Sequence, residues 1–144
     1  MANSDTVRLL RKCEAGLKMG EASLDGVMKY TEDRGLTSRL REGRREHDAL
    51  LSEVEKALAA EGAPGKDPSI MAKSMSFLQT NMKLAMDSSD GAAAGLVYDG
   101  CVMGLKNLQK YKNEYIGASA TAAGLCDRAM RLEAGMAEDM KRYL

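Results

Sequence analysis

Apolar residues recur at intervals of three and four along almost the whole chain, and nowhere do they alternate over the length of a strand. That period belongs to helices with one face turned toward a core. Val7, Leu10, Leu17, Leu24, Val27 and Met28 form the first stripe; Leu36, Leu40, Leu50, Leu51, Val54 and Leu58 form the second. Met71, Met75, Leu78, Met82 and Met86 follow, then Val97, Cys101, Leu108, Tyr111 and Tyr115, and finally Leu125, Ala129, Leu132, Met136 and Met140. The breaks fall at Arg34-Gly35, at Glu61 to Pro68, which holds both prolines of the chain, at Asp87 to Gly91, and at Ile116-Gly117. Glycine past a helix end and proline at a helix start are the expected stop and start signals. The spacing therefore predicts helices over about 5–33, 37–61, 69–86, 90–115 and 119–143.

Four of these segments reach ~38 Å at 1.5 Å per residue, and the third reaches only ~27 Å. Matched long helices with short links bury their stripes best as a four-helix bundle. The short third segment then returns the chain from one end of the bundle to the other. The expectation is a single all-α domain over 1–144, two antiparallel hairpins joined by a short crossover helix. This arrangement resembles the ferritin-like superfamily, and in particular small bacterial ferritin-like domains related to rubrerythrin. The resemblance is one of architecture and covers essentially the whole chain.

The resemblance implies a test for a metal centre. Di-iron members carry a glutamate on each of two helices and a Glu-x-x-His pair on each of the other two. Here His47 is the sole histidine, and Arg44 stands three residues before it where a glutamate would be required. Glu133 lies on the inner side of the last segment, but Met136 occupies the place of the following histidine. Both pairs are broken, so a di-iron centre is not expected. A reduced site is the alternative. Counting helical rise from the same end, His47 lies ~20 Å down the second segment, with Glu21, Cys101 and Glu133 within about one turn of that level. Glutamate, histidine and thiolate donors suit zinc or a single ferrous ion. The plainer expectation is a buried neutral His47 touching Glu21 or Glu133, with Cys101 as a small apolar residue. On that reading no cofactor is expected.

Composition narrows the function further. Lysine plus arginine number 21 and so do aspartate plus glutamate, with no excess in either half, so a nucleic-acid-binding arm is not expected. No apolar stretch approaches the ~20 residues of a membrane span, and the N-terminal MANSDTVRLLRKCE does not read as a secretory leader. Three widely spaced cysteines suit a reducing, cytoplasmic setting. Arg39, Arg41, Arg44 and Arg45 are interleaved with Glu42, Glu46 and Asp48 and read as a solvated surface. Gly16-x-x-x-Gly20 and Gly100-x-x-x-Gly104 read as places where helices approach closely. The fourth segment is apolar nearly all round, with Leu96, Val102, Met103 and Leu105 off its inner stripe, which favours a homodimer. The expected role is a non-catalytic assembly or binding module; the alternative is a metal-binding or oxidative-stress protein using Glu21, His47, Cys101 and Glu133.

Overall fold

The structure, a computed structural model, describes residues 3–65 and 89–144. Every regular element among them is helical: α1 (Ser4–Met28), α2 (Arg34–Ala60), α3 (Asp90–Glu114) and α4 (Ala120–Met140), followed by a 3-10 turn at Lys141–Tyr143. The expected crossover segment 69–86, with its methionine stripe, lies outside the described residues. None of the described helices is long and apolar enough to cross a membrane.

Local polar chemistry sets the helix ends. Asn3 Oδ1 accepts from the backbone N–H groups of Asp5 and Thr6 and caps α1. The first helix stops at Met28, five residues before the expected end, because the Thr31 hydroxyl donates to the Met28 carbonyl and Asp33 turns extended. Short polar side chains in Thr31-Glu32-Asp33 thus compete with the helix for its own backbone groups. Asp33 then caps α2 by accepting from Leu36 N–H, so the helix starts at Arg34 and Gly35 sits inside its first turn instead of marking a break. Ser89 and Ser119 cap α3 and α4 in the same way. Beyond α2, Gly62 and Gly65 take φ of 74° and 92°, a left-handed backbone that glycine enters without steric cost.

Side-chain to backbone bonds tie the helix ends into two groups. At one end, Asn3 Nδ2 donates to Gly117 O, Asp5 accepts from Gly117 N–H, and Thr6 Oγ1 accepts from Ser119 N–H. Arg11 in the same helix donates to the carbonyls of Ala63 and Gly65 just past α2. At the other end, the Asp90 carboxylate at the start of α3 accepts from the N–H groups of Glu32 and Asp33 between α1 and α2. The Tyr143 hydroxyl packs over Gly35 there.

Among the described residues the interior falls into two apolar clusters. One gathers Leu9, Leu10, Cys13, Leu17, Leu50, Leu51, Val54, Leu58, Leu108 and the small residues Ala122, Cys126 and Ala129. The other gathers Leu24, Val27, Leu36, Leu40, Val97, Cys101, Met136 and Met140. Each fully buried leucine contributes about 1.5–3 kcal/mol. Along every helix the two clusters are separated at one level: Gly20 on α1, His47 on α2, Gly104 on α3 and Glu133 on α4.

Candidate functional site

His47 and Glu133 are buried and meet at that level, His47 Nε2 lying 2.8 Å from Glu133 Oε1. The other ring nitrogen, Nδ1, lies 2.7 Å from the carbonyl oxygen of Gly43 one turn back on α2. A carbonyl only accepts, so Nδ1 carries hydrogen and donates. Nε2 donates to the Glu133 carboxylate when the ring is charged, and both nitrogens are then satisfied. Burial opposes that charge, but the hydrogen bond to Glu133, its negative charge, the Gly43 carbonyl and the charge of Glu21 outweigh it. Together they hold the His47 pKa above its ordinary value. The apolar stripe suggests a neutral imidazole; the two acceptors around the ring instead favour its charged form.

Room for the ring comes from glycine. A Cβ at Gly20 would stand 2.7 Å from both Cδ2 and Nε2 of His47. At Gly104 it would meet Glu133 at 3.7 Å, an ordinary contact. Gly16 and Gly100 have nothing within 4 Å, so only one glycine of each expected pair faces the site.

Cys101 and Glu21, the other two residues matched by depth, have their own partners. Cys101 lies against Glu133, and burial together with that carboxylate pushes its thiol up from the ordinary range. Glu21 pairs with Arg44, whose Nη1 stands 3.3 Å from Glu21 Oε1 as an ion pair without hydrogen-bond alignment among the described residues, and its charge is also felt at His47. Burial and neighbouring Asp48 raise the Glu21 pKa against the pull of Arg44. Among the described residues no group of three or more His, Cys, Asp or Glu side chains is arranged to hold a metal ion. A di-iron centre does not fit these residues, since Arg44 reaches outward to Asp25, Glu21 and Asp48 and Met136 fills the core beside Gly43.

Charge elsewhere is paired in place. Arg39 binds Glu46 and Asp139, and Arg45 binds Glu42, so these two arginines of α2 are paired with carboxylates. Sequence reasoning missed how deep Glu14 lies. It is fully buried, one oxygen 3.1 Å from Arg11 Nη1 and the other without a hydrogen-bond partner. Its position three residues after Arg11, and four after Leu10, was the available signal.

The raised His47 pKa has a measurable consequence. A folded-state pKa above the unfolded value means that the native state binds more protons between the two. The stabilisation is complete below the ordinary histidine value of about 6.5 and is lost as pH rises through the folded pKa. Urea unfolding from pH 6 to pH 9 is expected to show declining stability. A variant in which His47 and Glu133 are both apolar should lack that component. An identical pH profile for the two proteins would refute it.

A scan against protein-family models and searches of curated proteins and of solved structures return no match to this chain.

Proposed function

We propose that this chain is a non-catalytic, ferritin-like helical bundle that acts as an assembly or binding module and has lost the di-iron site of that architecture. The observation that carries this reading is the closed His47–Glu133 pair. Both nitrogens of the lone histidine are committed to partners within the bundle, and the pair is sealed between two apolar clusters. Catalysis needs a polar group free to reach substrate, and this one serves internal register instead. The ferritin-like arrangement is supported by the ties at the helix ends. Asp90 begins α3 beside the α1–α2 turn, while Arg11 holds the stretch after α2 at the opposite end. That placement starts α2 and α3 at the same end, so the two helices run parallel. Assembly, as a homodimer in a cytoplasmic setting, is supported by the outer side of α3, where Val102 is 45% and Met103 55% exposed.

The second reading, a metal-binding or oxidative-stress protein, is favoured by one observation: Cys101 adjoins Glu133, which adjoins His47. Iron or zinc there would require His47 Nε2 to exchange its bond to Glu133 for the ion, and Glu21 to give up its ion pair with Arg44. Elemental analysis of protein purified without added metal separates the two readings. Metal far below one atom per chain, with light scattering at twice the 15.6 kDa chain mass, is the expected result. Near-stoichiometric iron or zinc that disappears on Glu133→Ala would overturn the first reading in favour of the second.

A further inference from the structure

We infer that Cys13 and Cys126 form an oxidisable dithiol inside the bundle, one that peroxide converts into a disulfide tying α1 to α4. Both residues are fully buried, belong to the same apolar cluster, and bring their thiols against one another. They sit toward the same end of the bundle, ~14 Å into α1 and ~9 Å into α4 by helical rise. α1 and α4 pack directly. On α4, Cys126 is flanked one turn away on each side by Ala122 and Ala129, neither of which has any exposed surface. A strip of such small residues lets two helix backbones approach closely. A disulfide needs that approach, with Cβ atoms ~3.5–4.5 Å apart.

The surroundings distinguish the two sulfurs. The Cys126 thiol reaches the Leu108 carbonyl at 3.7 Å, a weak contact that orients it. The Cys13 thiol beside Cys126 lowers the Cys126 pKa, while Cys13 is itself pushed far up by the Cys126 sulfur and by burial. Attack by the Cys126 thiolate is one order of events, and starting from Cys13 gives the same product. In the first order the Cys126 thiolate attacks one oxygen of hydrogen peroxide, the O–O bond breaks, and sulfenic acid and hydroxide result, the latter leaving as water after protonation. The Cys13 sulfur then attacks the sulfenic sulfur, gives up its proton, and displaces a second water. Two thiols are oxidised, one peroxide is reduced to two waters, and the new S–S bond closes a loop spanning most of the chain. Access to sulfurs so well shielded comes through local opening of the helix ends. Cys101 lies in the other apolar cluster, against Glu133, and takes no part.

The test treats the full, reduced chain with hydrogen peroxide under native conditions and follows intact mass, disulfide-linked peptides and thermal unfolding. The expected product has lost two hydrogens, carries a Cys13–Cys126 link, and unfolds several degrees higher until dithiothreitol reverses the shift. Cys101→Ala should react in the same way, whereas Cys13→Ala and Cys126→Ala should form no intramolecular link. Peptide mapping of the unmutated chain keeps the test independent of how those two variants fold. A link involving Cys101, free thiols that persist, or Cys126 sulfinic acid without a link would each overturn the inference.

Discussion

Glu133→Met in the otherwise native chain is expected to lower the unfolding free energy by about 3–5 kcal/mol, the usual cost of breaking a buried ion pair from one side. The variant leaves the His47 Nε2 hydrogen facing an apolar thioether where it now meets a carboxylate at 2.8 Å. The ring either keeps a charge with no partner or gives up the proton and buries a bare nitrogen. His47→Leu, which the apolar stripe of α2 favours when read alone, strands Glu133 beside Cys101 and is expected to be similarly costly. The double variant removes both polar groups and is expected to be neutral or up to about 4 kcal/mol more stable than the native chain, since apolar residues of similar volume commonly replace a buried pair without loss. Methionine suits position 133 because it is unbranched, like glutamate, and adapts to the space beside Gly104. Urea unfolding of the four proteins at pH 7 measures the coupling. Additive losses in the double variant would show that His47 and Glu133 do not stabilise the bundle as a pair.

Gly20→Ala carries the second large effect, and its sign is opposite to helix propensity. Alanine within a helix is favoured over glycine by up to about 1 kcal/mol. At position 20 the added methyl would stand 2.7 Å from two atoms of the His47 ring. The ring cannot swing aside without giving up Gly43 O at one nitrogen or Glu133 at the other. A net loss of about 1–3 kcal/mol is expected, the range for overpacking a filled core. Gly16→Ala, one turn earlier on the same helix with nothing within 4 Å, is the control and should gain about 0.5–1 kcal/mol. Gly43→Ala falls between, because the atoms it meets are Cε and Sδ of Met136, the flexible end of a side chain. Equal stabilities for Gly20→Ala and Gly16→Ala in chemical unfolding would disprove the packing argument.

The all-helical character, the number of long helices and most of their inner faces were legible in the one-dimensional pattern, because helical period and capping chemistry act within a turn or two of chain. The start of α3 shows this best: Ser89 caps it, Asp90 begins it, and both are local signals. Where two local signals competed, tertiary ties decided. Asp90 draws on the N–H groups of Glu32 and Asp33, which holds that turn extended and ends α1 early. Matched depth narrowed the partner of His47 to Glu21 or Glu133, and only the tertiary structure selected Glu133 as its hydrogen-bond partner. The proton shared by the two was not legible either, since it depends on the Gly43 carbonyl capturing the other nitrogen. Glu21 has a matched depth too, but its ion pair with Arg44 is a tertiary contact that depth along a helix does not reveal. The meeting of Cys13 with Cys126 was likewise decided only in three dimensions, by which small residues let α1 and α4 approach. Local backbone energetics wrote the helices into the sequence, while side-chain partners from distant segments determined what each buried polar group and each thiol became.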